Sequence, residues 1–102
     1  MQIDTDKVRR ESIRWLILLT LNNARPDGHY DGPVLSVAQA IYPDATKLEL
    51  RREIQYLAHR DMVLLKVLPS GPWHCNLTSA GVDCAEYTAD CAPGIARPAK
   101  YW

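Results

Sequence analysis

A chain of 102 residues is long enough for one domain with its own apolar core, without a metal or a disulfide framework to hold it. Hydrophobic residues make up 47% and charged residues 24%, and twelve Lys+Arg balance twelve Asp+Glu to a formal net charge of zero. That balance excludes a histone-like polyelectrolyte, an acidic tail and a basic membrane-surface peptide, so any nucleic-acid footprint has to be local.

The longest apolar run, Trp15 to Leu19, reaches Leu21 through Thr20 and falls well short of the roughly 20 residues of a membrane span. Met1 to Asp4 carries no positive region leading into an apolar stretch, so no secretory leader is expected. Cys75, Cys84 and Cys91 are odd in number, and no pair has zinc-knuckle spacing. The expectation is a cytoplasmic protein with reduced thiols, no metal and no cofactor.

Asp6 is placed to cap a helix beginning at Lys7. Val8, Trp15, Leu16 and Leu19 share one face, while Ile13, Ile17, Thr20 and Leu21 extend the apolar surface, which predicts a buried helix. It should stop near Asn22-Asn23-Ala24, before a polar loop over Arg25 to Pro33 that is expected to be mobile. Ser36 with Gln39 then forms a candidate capping box, and Tyr42-Pro43 ends a short helix. Thr46 with Glu49 repeats the box, with Ala45 and Leu50 as a hydrophobic staple, and predicts a longer helix from Lys47 to Arg60. Its apolar face is Leu50, Ile54, Leu57 and Ala58.

Past Asp61 the pattern changes to strand formers. Met62 to Leu68 and Trp73 to Leu77 flank the turn Pro69-Ser70-Gly71-Pro72, which predicts a hairpin. Thr78 caps a short last helix, Ser79 to Tyr87, with Leu77 and Val82 as its staple. Ala92 to Trp102 should be extended, with Tyr101-Trp102 docked rather than left in water.

Helix, helix–turn–helix and hairpin is the element order of a winged helix-turn-helix domain. The stretch TKLELRREIQYLAHRDMV, Thr46 to Val63, resembles the recognition helix and strand entry of small bacterial winged-helix repressors. Leu77-Thr78-Ser79-Ala80-Gly81 resembles the leucine-threonine-x-x-glycine turn that closes their wing. The ending Pro93 to Trp102 is similar to that of small winged-helix proteins of Mu-like bacteriophages and prophages. These resemblances imply an α+β, mostly helical fold: a three-helix core, a two-stranded wing, a short C-terminal helix and an extended tail. The domain would span residues 1–88 and the tail 89–102. They imply a sequence-specific DNA-binding protein, a transcriptional regulator of bacterial or phage origin.

With Leu50 at the centre of the buried face, 100° per residue puts Leu48, Arg52, Gln55 and His59 outside, flanked by Arg51 and Tyr56, with Lys47 in the first turn. Arg and Gln can read guanine and adenine, and Lys, His or Tyr can reach phosphate. Between Thr46 and Arg60 four basic side chains (Lys47, Arg51, Arg52, Arg60) face two acidic ones, Glu49 and Glu53. The expected DNA contacts are Thr46, Lys47, Leu48, Arg51, Arg52, Gln55, Tyr56 and His59, with Lys66 on the wing. The alternative reading of this face is an ordinary solvated helix surface whose acids pair with Lys47, Arg52 or other neighbours. The wing tip carries no charge, and Leu48 fits a thymine methyl or a protein interface equally well. Arg9, Arg10 and Arg14 on the first helix read as a solvated face.

The alternative function is a winged-helix protein-interaction module with little or no DNA binding. A thiol or metal sensor built from His29, His59, His74, Cys75, Cys84 and Cys91 would need irregular spacings, and a small buried cysteine is the commoner fate. No nucleophile elbow, phosphate-cradling glycine loop or spaced carboxylate pair is present, so no enzyme is expected. The first and last helices and the tail suggest a homodimer with its reading helices about one DNA turn apart. A monomer with its tail folded over the first helix is the other arrangement.

Overall fold

The computed structural model describes residues 2–100. Four helices and a small antiparallel sheet follow in the order α1 (Thr5–Asn23), β1 (His29–Tyr30), α2 (Asp31–Ile41), α3 (Lys47–His59), β2 (Val63–Val67), β3 (Trp73–Leu77) and α4 (Ser79–Ala85). The result is an α+β fold with sheet order β1-β3-β2.

Helix α1 begins two residues earlier than its sequence suggests. Asp4, not Asp6, is the N-cap, and its carboxylate accepts the Lys7 N–H at 3.1 Å. Ile13, Ile17, Leu18 and Leu21 are fully buried, so α1 is the central helix of the core, whereas Val8 is exposed. Both α2 and α3 pack on α1, and α4 closes the far side.

Helix α2 begins at Asp31 rather than at Ser36. Strand β1 delivers Tyr30 in an extended conformation, and Pro33 falls in the first helical turn, where its missing N–H has no intrahelical acceptor to lose. Ser36 therefore lies inside the helix, its hydroxyl 3.4 Å from the Gly32 carbonyl. Gln39 reaches the next turn instead, donating to the Ala45 carbonyl at 2.9 Å. The Thr46 cap is in place, accepting the Glu49 N–H at 3.1 Å, and α3 follows with Leu50, Ile54 and Leu57 buried.

The segment expected as a mobile loop contains a strand. His29 pairs with Cys75 and Tyr30 with His74, which adds β1 to the hairpin. Gly28 makes this possible: its φ is 75°, and a Cβ there would run into the Cys75 carbonyl. The β2–β3 register runs from Val63 opposite Leu77 to Val67 opposite Trp73.

Helix α4 is capped by Thr78, whose hydroxyl accepts the Gly81 N–H at 3.1 Å and donates to the Asp61 carbonyl at 2.5 Å. It stops at Ala85, earlier than Tyr87, which takes a φ of 62°. Cys84 and Cys91 form a disulfide, so the expectation of three reduced thiols holds only for buried Cys75. The bond turns the chain back over α1: Ile95 is buried, Ala96 N–H donates to the Glu11 carbonyl at 3.1 Å, and Arg97 Nη1 to the Ala89 carbonyl at 2.8 Å. The described part of the tail thus folds back over the first helix. Tyr101 and Trp102 lie outside the described residues. Among those described, no helix is long and apolar enough to cross a membrane.

Candidate nucleic-acid interface

Helix α3 presents three different surfaces, set by which residues flank its buried seam. On one flank are Glu49 and Glu53. Arg9 grips Glu49 with two parallel hydrogen bonds, Nε to Oε2 at 2.7 Å and Nη2 to Oε1 at 2.8 Å, and also reaches Asp44 at 2.8 Å. Those hydrogen bonds from Arg9 hold the Asp44 carboxyl below its ordinary range. Arg14 donates Nε–H to Glu53 at 2.8 Å, and this pair is nearly out of water, with side chains 11% and 3% exposed. Both carboxylates of α3 are thus taken up by α1, not by Lys47 or Arg52. Arg9 and Arg14, read from the sequence as a solvated stripe, are their counterions.

Tyr56 lies on the same flank and does not face outward. Arg14 stacks over its ring at 3.4 Å and Arg60 at 4.1 Å, and its hydroxyl packs against Gly94. Tyr56 is thus packed between α1, α3 and the tail.

The opposite flank carries Arg51, which is half-buried and tied to other elements. Its Nε–H donates to Asp31 at 2.7 Å, its Nη2 to the Gly71 carbonyl at 2.9 Å, and its guanidinium sits 4.6 Å above the Trp73 ring. Asp31 is 2% exposed and also accepts the Trp73 N–H at 3.1 Å. Burial alone would raise the Asp31 pKa; the Arg51 and Trp73 hydrogen bonds, with the charges of Arg51 and Lys47, outweigh it and hold the carboxyl below its usual value. Beneath it, burial and the Asp31 charge push the Cys75 thiol up to about 12, against the pull of Arg51. The sequence gives no local sign of the Asp31–Arg51 clasp, because its partners are 20 residues apart and meet only when β1 joins the sheet.

What remains facing solvent is Leu48, Arg52, Gln55 and His59, as the helical spacing predicts, with Leu48 70% exposed. Thr46 serves as the cap. Lys47 is exposed beside Arg51, toward the β2–β3 turn. Lys66 is exposed on β2 opposite His74, whose Nε2 lies 2.9 Å from the Asp27 carbonyl. The outer face of α3 therefore bears cationic and amide groups and no carboxylate. Among the described residues, no three His, Cys, Asp or Glu side chains come together as a metal site requires.

No known protein-family model matches the chain, and no curated protein matches it either. Among solved structures, it is similar to a crystal structure from Ralstonia eutropha JMP134 described as a "putative DNA-binding protein". The match has a TM-score of 0.63 at 21% identity and covers 85% of this chain and 98% of the other. At that identity the likeness is one of fold.

Proposed function

We propose that this chain is a winged helix-turn-helix protein that binds double-stranded DNA, with α3 as its reading helix and β2–β3 as its wing. The observation that carries this reading is the separation of charge on α3: Glu49 and Glu53 are held by Arg9 and Arg14, while Arg52, Gln55 and His59 stand free on the outer face. Arg and Gln there have the reach and donor pattern for base edges in a major groove. Lys47 and Lys66 supply phosphate contacts, and Arg51 and Tyr56 hold the helix in place. The DNA-binding description of the structurally similar Ralstonia eutropha protein supports the same reading. A role as a transcriptional regulator of bacterial or phage origin belongs to it, as does pairing of two copies, checked by sedimentation.

The test is a titration against mixed-sequence duplex DNA at several salt concentrations. A handful of phosphate contacts should give a slope of log affinity against log salt of about −0.9 for each. Absence of binding at ~50 mM salt would remove the DNA reading. A second reading, a protein-interaction module, is favoured by one observation: Leu48 stands 70% exposed at the N-terminal end of the outer face. Leu48→Lys separates the two, because it should strengthen DNA binding and weaken a protein contact.

A further inference from the structure

A cleft of about 720 Å³ opens between the first turn of α2 and the turn that joins β2 to β3. Its walls are apolar: Tyr30 and Pro33 on one side, Leu68 and Pro72 on the other. Its floor is the Asp31–Arg51 pair, and Lys47 stands at its edge. Asp31 uses both carboxylate oxygens internally, on Arg51 Nε and the Trp73 N–H. Arg51 is likewise engaged, by Asp31 and the Gly71 carbonyl. The ammonium of Lys47 has no hydrogen bond or ion pair of 4 Å or less among the described residues, so two cations and one buried anion leave one positive charge facing the opening.

From this geometry we infer that the cleft is a binding site for a small organic monoanion, a carboxylate borne on a flat apolar body. The carboxylate meets Lys47, and the apolar body lies between the Tyr30–Pro33 and Leu68–Pro72 walls. A dianion would leave a negative charge unmatched, and a neutral ligand would forgo the charge-assisted hydrogen bond that the Lys47 ammonium offers. A ligand lodged there occupies the space between the β2–β3 turn and the first turn of α3. It therefore controls how far that turn can lean on the helix. Binding itself stands independently of the DNA reading; only a consequent change in DNA affinity rests on it.

The experiment uses the whole chain and amide chemical shifts, with phenylacetate, phenylacetamide and acetate as probes at up to ~10 mM, ten times the dissociation constant of a weak millimolar ligand. Phenylacetate should produce saturable shifts at Gly32, Lys47 and Gly71. Phenylacetamide, which lacks the charge, and acetate, which lacks the ring, should each bind about tenfold more weakly, the difference made by one charge-assisted hydrogen bond or by burial of the ring. Lys47→Gln should bring phenylacetate down to the level of the amide with the shift pattern of the fold retained. Equal shifts from acetate and phenylacetate would mean that the walls hold nothing and that the place is a simple anion contact, such as a DNA phosphate would make. That result overturns the proposal, as do the absence of saturable shifts or an unchanged phenylacetate affinity in Lys47→Gln. None of these outcomes depends on whether duplex DNA binds, which the salt titration decides separately.

Discussion

Arg51 of α3 donates to the Asp31 carboxylate at 2.7 Å and, from the other end of its guanidinium, to the Gly71 carbonyl at 2.9 Å. One side chain thereby joins three parts of the chain that are far apart in sequence: the start of α2, helix α3 and the β2–β3 turn. The clasp is asymmetric in exposure, with the Asp31 side chain 3% and the Arg51 side chain 25% exposed. Removal of the acid leaves a partly screened cation, a Trp73 N–H without its acceptor and a turn without its strap. Asp31→Ala should cost about 2–3 kcal/mol, at the lower end of the range for breaking a buried pair because Arg51 still reaches water. The midpoint of urea unfolding measures it.

The same clasp sets an acid dependence. The folded Asp31 carboxyl titrates below its ordinary 3.8, so the unfolded chain takes up the proton first as pH falls. Its contribution is present above that value and disappears as pH drops through the lower, folded one. Stability measured from pH 6 down to pH 2 should fall less steeply in Asp31→Asn than in the unsubstituted chain across the region below 3.8.

Glu53 and Arg14 make a second, drier pair. Glu53→Ala leaves the nearly buried Arg14 guanidinium with, among the described residues, only the Gly94 carbonyl, 2.9 Å from Nη1, as acceptor, and should cost about 3–5 kcal/mol. Arg14→Met with Glu53→Leu removes both charges and should be much less harmful than the single change. A double-mutant cycle on unfolding free energies gives the coupling.

On the outer face the expected pattern is reversed. Arg52→Ala and Gln55→Ala touch no internal partner, so stability should move by less than about 0.5 kcal/mol. Each should weaken specific DNA binding by about 1–3 kcal/mol and relax base preference. Tyr56→Ala should do the opposite, lowering the unfolding midpoint while leaving the salt slope of DNA binding unchanged. Fluorescence anisotropy beside thermal unfolding distinguishes the two classes.

The Cys84–Cys91 bond closes a short loop, and a loop of that size should contribute about 2.5 kcal/mol of stability. Thiol titration of the oxidised chain should find no reactive cysteine in the native state and one after unfolding, Cys75. Reduction should lower the thermal midpoint and speed chymotryptic cleavage after Tyr87, which lies inside the loop that the bond closes.

Local chemistry was readable in the sequence where one side chain acts on its own neighbours. Thr46 and Thr78 cap the helices that follow them, and the spacing of Leu50, Ile54 and Leu57 marks the buried seam of α3. It misled where a local pattern met a long-range claim. Ser36 with Gln39 has the form of a helix start, but β1 pairing with β3 pulls the helix back to Asp31. Helical spacing also placed Arg51 and Tyr56 beside the outer face correctly in angle. It had no means of showing that Asp31 and Gly71 would draw one inward, or that Arg14 and Arg60 would enclose the other. The pairing of Cys84 with Cys91 depends on the turn after α4, which no motif announces.

The ion pairs on α3 fall on both sides of its apolar seam, Glu49 and Glu53 on one and Arg51 on the other. They act as splines on a shaft, resisting rotation of the helix about its own axis. Side-chain tips on a helix lie roughly 5–6 Å from the axis, so a roll of only ~10° would carry Arg52 and Gln55 through ~1 Å. A hydrogen bond to a base edge tolerates only a few tenths of an ångström around its preferred distance. In the proposed DNA-binding role, a helix that owes its aim to α1 and α2 needs no help from its target to find the right angle.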